Sequence, residues 1–206
     1  MLVELVAEDF IRLFFRIGVE RASAIQPNPP RVRFALLGEV RLDARKQLIE
    51  ELLEKQQPAT EESSDEELLL LAWSVWGKGA LAKILGDFSF AIWDASQQSL
   101  FCARDFAGAR PFFYAGNGGV FSFSNTLNAL RLAPEISGSL DDLFVRDFLL
   151  TGLCGDPARS IWRDIRRLPA GHRLICSHGQ IQVQRFRSLP VEEPLRLKHP
   201  GEYLEG

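Results

Sequence analysis

Between Asp87 and Asp105 the polar and apolar residues alternate without leaving a wet side. In "DFSFAIWD" Phe88, Phe90 and Ile92 fall on one face of an extended strand, and Ser89, Ala91 and Trp93 on the other. "LFCARD" behaves the same way, with Leu100 and Cys102 alternating with Phe101 and Ala103. Successive side chains of a strand point to opposite faces, so two apolar faces predict a sheet covered on both sides.

The flanking segments change period. Leu48, Ile49, Leu52 and Leu53 follow helical spacing, and Leu68, Leu71, Ala72, Val75 and Trp76 do so more strongly. The polar run "KQQPATEESSDEE", Lys55 to Glu67, joins the two as a surface loop. Ser64 stands three residues before Glu67, the spacing of a capping box, so the second helix is predicted to start there. Gly77 and Gly79 punctuate its end. Ser139 with Asp142 predicts a further capped start, for a helix through Phe144, Val145, Phe148 and Leu149. "DASQQS", "GNGG" and the turn at His178 and Gly179 predict hairpins. Successive hairpins imply antiparallel pairing. With helices before and after the strands rather than between them, the fold class is α+β and not a doubly wound parallel sheet.

Composition narrows the function. The chain has 206 residues and is 46% hydrophobic, enough for one large domain or two small ones. No stretch reaches the roughly 18 apolar residues of a membrane span. The N-terminal "MLVELVAEDFIRLFFRIG" is interrupted by Glu4, Glu8, Asp9, Arg12 and Arg16 and has no basic leader, so it reads as a core helix or strand rather than a signal peptide. A net charge of −3 with scattered Lys and Arg argues against nucleic acid. Three widely spaced cysteines, Cys102, Cys154 and Cys176, fit a reducing cytoplasm. Cys176 and His178 have no second pair to complete a metal tetrahedron, so no metal site is expected.

"LGDFSFAIWD", "LFCARD", the "G-x-R-P" turn and "FFYA" together resemble the glutamine amidotransferase domain of asparagine synthetases, a class II, N-terminal-nucleophile amidotransferase. "SDEELLLLAWSVWG" is similar to the family's "SDTE" helix, "FSFSNTLNALRL" to its "FASEIKAL" segment, and "SIWRDIRRLPAGHRL" to its "I-x-x-LPPGH" hairpin. The resemblance runs from about Val32 to about Phe186 and implies a four-layer αββα sandwich of two antiparallel sheets, with a domain over residues 1–190. Residues 191–206 read as a tail or the start of a linker to a synthetase domain.

The chemistry of the family is another matter. Its enzymes attack glutamine with a cysteine at the mature N-terminus, whose α-amine serves as base. Here Met1 is followed by Leu2, a hydrocarbon, and the nearest cysteine, Cys102, sits in a core strand. The family's "NGEIYN" oxyanion segment aligns with "LGEVRL": Gly38 is kept, but Leu37 replaces the asparagine. One lost oxyanion donor costs about a hundredfold to a thousandfold in rate. Asp65 matches the "SDTE" aspartate that holds the substrate's α-amino group, although an acid in a first helical turn is also favoured by the helix dipole. Gly38 and Asp65 are thus the vestigial substrate-binding positions, and no catalytic residue is assigned. The substrate-carboxylate arginine has no clear counterpart among Arg21, Arg31 and Arg33. Arg104 and Asp105 read as braces of the turn before Gly108, and Trp93 and Tyr114 as core.

The sequence has no "SGGxDS" phosphate loop, so ATP and Mg belong only to a partner, an ATP pyrophosphatase-type synthetase domain or subunit, with no cofactor in this chain. Three readings follow. The first is a catalytically silent amidotransferase-like domain that acts as a structural or regulatory partner of an amide-forming unit. The second is an active glutaminase with a different mature N-terminus, for instance at Ser23 or Thr60. The third is a module that binds glutamine or another amino acid without hydrolysing it. A homodimer is a further open partner.

Overall fold

The computed structural model describes the backbone of residues 2–7, 13–18, 33–117 and 120–188, and side chains within 33–116 and 120–188. In chain order the elements are β1 (Leu2–Ala7), β2 (Leu13–Gly18), β3 (Phe34–Leu42), α1 (Arg45–Glu54), α2 (Asp65–Trp76), a 3₁₀ turn (Gly77–Ala82), β4 (Gly86–Asp94), β5 (Ser99–Arg104), β6 (Phe113–Asn117), β7 (Val120–Ser124), α3 (Leu127–Leu130), α4 (Asp142–Thr151), β8 (Arg166–Arg167), β9 (His172–Ser177) and β10 (Gln180–Arg185). They form two five-stranded sheets, ordered β10-β9-β5-β4-β3 and β1-β2-β7-β6-β8, antiparallel at every pairing. The N-terminal segment is therefore a β1–β2 hairpin, and the three predicted turns all connect paired strands.

The alternation of β4 and β5 maps onto two separate cores. Phe88, Phe90, Ile92, Phe101 and Ala103 pack with Leu48, Ile49 and Leu52 of α1 and Leu68, Leu69, Ala72 and Trp73 of α2. Ala91, Leu100 and Cys102 point the other way and, with Leu174 and Cys176, meet Phe121 and Phe123 of the second sheet and Phe112 just before β6. The Phe112 and Phe123 rings stack with centroids 5.3 Å apart. On the outer face of the second sheet, Phe113 and Ala115 pack against Leu130, Ala133, Ile136 and Ile165. Helices, sheet, sheet, and the α3 layer follow in that order. This is the α+β sandwich, and it explains why neither face of β4 is polar. Full burial of Phe90 or Ile92 is worth about 1.5–3 kcal/mol each.

The ends of α2 follow the sequence signals. The Ser64 hydroxyl accepts from the Glu67 N–H and the Glu67 carboxylate accepts from the Ser64 N–H, at 3.2 and 2.9 Å. Gly77 closes the helix at φ +54°. Elsewhere the expectations need correction. Leu53 is exposed rather than part of the buried stripe of α1. Asp141, not Ser139, caps α4: its Oδ1 accepts from the Phe144 N–H at 2.9 Å, and Arg159 pairs with the same carboxylate at 2.8 Å. No residue of α4 is buried, and Leu149 and Leu150 are 78% and 76% exposed. Trp93 and Tyr114 are only partly buried at the margin of the inter-sheet core. Residues 191–206 lie outside the described residues.

Candidate functional site

Leu37 and Gly38 lie in the middle of β3, paired with Ala91 and Phe90 of β4. The register turns Leu37 toward the second sheet, where it packs on the inter-sheet core. An asparagine there would present an amide; leucine presents a hydrocarbon and contributes no donor. Gly38 has φ +138°, and a Cβ on it would stand 2.2 Å from the Ser89 carbonyl oxygen and 2.6 Å from the Phe90 Cα. Both neighbours are backbone, so the close approach of β3 to β4 requires glycine at this position whatever the fate of the chemistry.

Asp65 is the first residue of α2. Its Oδ2 accepts from the Leu42 N–H at 2.9 Å, and its Oδ1 pairs with Arg45. Arg45 in turn donates to the carbonyls of Ser63 at 2.6 Å and Glu61 at 3.1 Å. The carboxylate thus joins the end of β3 to the starts of α1 and α2. Leu42 lies four residues from Gly38, about 13 Å of extended strand. The two sequence-assigned positions are therefore each engaged in the scaffold, at different points along β3.

The same end of the sandwich carries a polar cluster that the sequence did not reveal. Glu39, which shares its face with Leu37, accepts from Asn125 Nδ2 at 2.9 Å and pairs with Arg110 at 2.9 Å. Asn125 Oδ1 is buried without a partner among the described residues. Ser89, opposite Glu39 in the register, donates to the Pro111 carbonyl at 3.0 Å. Arg41 bridges Asp87 and Asp43, and both contacts push its guanidinium pKa upward. A charged residue at an inward position of an apolar strand was the one available signal, and the partners of Glu39 lie up to 86 residues away.

Arg104 and Asp105 brace the turn before Gly108 as expected. Arg104 donates to the carbonyls of Arg110, Leu168 and Gly108 at 2.6, 2.9 and 2.6 Å. Burial, aided by nearby Arg167, lowers its pKa. Asp105 is fully buried and accepts from the N–H groups of Ala109 and Arg110.

Two of the three thiols, Cys102 and Cys176, do not supply a nucleophile. Cys102 is wholly buried between the sheets and its pKa is raised well above the usual value by burial, with a lesser contribution from Cys176. Burial pushes Cys176 to about 11. A thiol in this state is not ionised at neutral pH and is inert. Thr60 is exposed in the loop before α2, its N–H bonded to the Ser63 hydroxyl. Arg33 lies over the Phe34 ring at the start of β3, 4.8 Å from the centroid. Arg21, Arg31 and Ser23 fall outside the described residues. Among the described residues no group of three His, Cys, Asp or Glu is placed to hold a metal ion, and no helix is long and apolar enough to cross a membrane.

Comparison with known proteins agrees with this architecture. A family model described as a glutamine amidotransferase domain matches residues 36–187. The chain is 29% identical over 133 residues to asparagine synthetase [glutamine-hydrolyzing] 3 of Bacillus subtilis, covering 65% of this chain and 22% of that protein. It is 25% identical over 141 residues to amidase chyE of Penicillium rubens, covering 66% of this chain and 20% of that one. The chain thus spans about a fifth of the length of these relatives. A solved structure described as the allosteric regulatory enzyme of purine biosynthesis superposes with a TM-score of 0.50 at 20% identity, over 75% of this chain and 28% of that one. That likeness concerns the fold, which is of the N-terminal-nucleophile hydrolase type.

Proposed function

The chain belongs to the glutamine amidotransferase domain family, and from that premise we propose that this domain has lost glutamine hydrolysis and works as a structural or regulatory partner of an ATP-dependent amide-forming unit. The observation that carries the reading is the engagement of the substrate-binding positions by the scaffold. Leu37 offers no oxyanion donor, Gly38 serves the β3–β4 approach, and the Asp65 carboxylate is held by Leu42 and Arg45. The inertness of Cys102 and Cys176 supports it.

The partner is a synthetase-type domain or subunit, in the same polypeptide or a separate one, and ATP and Mg bind there rather than here. Two observations support this. The relatives are four to five times longer than the stretch they share with this chain. The exposed apolar surface around α4, with Leu143, Phe148, Leu149, Leu150 and Leu153, is larger than scattered single residues account for, and such patches mark interaction sites. We place the protein in the cytoplasm, on its three free cysteines, none in a disulfide among the described residues.

The test is ammonia release from glutamine by the native full-length protein, alone and with its co-purifying partner, alongside intact mass and N-terminal sequencing. No release above the uncatalysed rate is expected. Turnover at a rate typical of the class, or a trapped glutamyl adduct on any residue, would sink the proposal.

A further inference from the structure

A cavity of about 260 Å³ opens at the far end of the first sheet, between the C-terminal turn of α2 and the strands β3, β4 and β5. Aromatic ring edges reach its floor, and most of its accessible lining is polar. The Trp73 and Phe101 rings lie 4.6 Å apart and are almost wholly buried, with Phe34 alongside.

The rim carries charge of both signs. Arg33 and Lys78 contribute two cations, and among the described residues neither lies within ion-pair distance of a carboxylate. Asp94 contributes one anion, 7% exposed. Burial alone would raise the Asp94 pKa, but hydrogen bonds to its Oδ1 from Ser96 and Gln97, with the attraction of nearby Arg33, outweigh burial and lower it. Its Oδ2 accepts no hydrogen bond among the described residues. The rim therefore has one cation in excess and one carboxylate oxygen open.

We infer that this cavity binds a free α-amino acid: the ligand carboxylate between Arg33 and Lys78, its ammonium on Asp94 Oδ2, its side chain against Phe34 and the exposed edges of Trp73 and Phe101. Two cations and one anion complement a zwitterion, which brings one group of each sign. The volume is below the roughly 300–1,000 Å³ of drug-sized sites, which fits a single amino acid and not a nucleotide. The cavity lies on the helix side of the sheet, whereas Leu37 and Glu39 face the second sheet, so the inference stands apart from whether glutamine is hydrolysed.

Calorimetric titration of the full chain with L-phenylalanine, L-leucine, 3-phenylpropanoate and phenethylamine tests it, with the Trp73 indole N–H followed by NMR. Both amino acids are expected to bind at up to millimolar concentration and to shift the Trp73 signal. Phenylpropanoate should bind more weakly, and phenethylamine not detectably. The exposed pair Arg33→Gln/Lys78→Gln should lose about tenfold or more, the scale of one charge-assisted contact, without a change in melting temperature. Asp94→Asn, which retains an acceptor for Ser96 and Gln97, should abolish the preference for the amino acid over phenylpropanoate. Silence of all four probes at millimolar concentration would overturn the inference. So would unchanged affinity in the double variant, or amine binding equal to that of the amino acid.

Discussion

Replacing Gly38 with alanine separates a structural from a catalytic reason for its presence. The added Cβ would lie 2.2 Å from the Ser89 carbonyl oxygen and 2.6 Å from the Phe90 Cα, in a backbone conformation with φ +138°. The conformational cost of a positive φ for an L-residue is about 1–2 kcal/mol. The contacts are with backbone, so relief requires β3 to draw away from β4, giving up about two ladder hydrogen bonds at about 0.5–1.5 kcal/mol each. Together these come to roughly 2–5 kcal/mol, or a fall in melting temperature of about 4–20 °C for a chain of this size. Gly152 supplies the control: it caps α4 at φ +75° with nothing within 4 Å of an added Cβ, so Gly152→Ala should cost only the conformational part, about 1–2 kcal/mol. Urea unfolding followed by circular dichroism measures both. If Gly38→Ala lost no more stability than Gly152→Ala, the close approach of β3 and β4 would not be what holds glycine at position 38.

Asp65→Ala removes the acceptor for the Leu42 N–H and the partner of Arg45, and should destabilise the ligand-free protein by about 1–3 kcal/mol, read from the urea midpoint; an unchanged midpoint would mean the carboxylate is not structural. Asp94 and Asp141 both have lowered pKa values, because hydrogen bonds from Ser96 and Gln97 with the charge of Arg33, and the Phe144 N–H with the charge and hydrogen bond of Arg159, outweigh burial. Their folded pKa values lie below the unfolded value of about 3.9, so the stability they contribute is complete above about pH 5 and is lost as pH falls through the folded pKa. Melting curves from pH 7 to 3 should show that loss, and an Asp141→Asn variant should show a shallower one. With Cys102 and Cys176 both raised by burial, a thiol reagent at pH 8 should label Cys154 in the native protein and all three only after unfolding; fast labelling of three would contradict their placement between the sheets. Leu149→Lys, at a side chain 78% exposed, should change stability by no more than about 0.5 kcal/mol while reducing capture of a co-purifying partner.

What the sequence disclosed was what lies within a few residues along the chain. The period-2 alternation of β4 and β5 correctly divided their side chains between two cores, and the Ser64–Glu67 spacing located the start of α2, because both are local geometry. The α4 cap was misplaced by two residues: Ser139 and Asp142 have the spacing of a cap, but Asp141 is selected by Arg159, which lies 18 residues on. Helical periodicity located α4 yet carried no information on what covers it, since an apolar face looks the same in sequence whether buried or bare. The insertion of β2 beside β7 and the cluster of Glu39, Arg110 and Asn125 depend on segments far apart, and no local pattern encodes such pairings. Motif spacing singles out Gly38 and Asp65, while the contacts they make, to the Phe90 backbone and to Arg45, come only from the fold.

Strand pairing here is a property of main-chain atoms, whereas the groups lining the polar end of the sandwich are tips of side chains. The two can vary almost independently. A lineage can exchange the residues at that rim, one after another, while the paired sheets beneath stay folded and recognisable. A scaffold so arranged can keep its shape while its chemistry changes, so the shape alone is poor testimony to what it does.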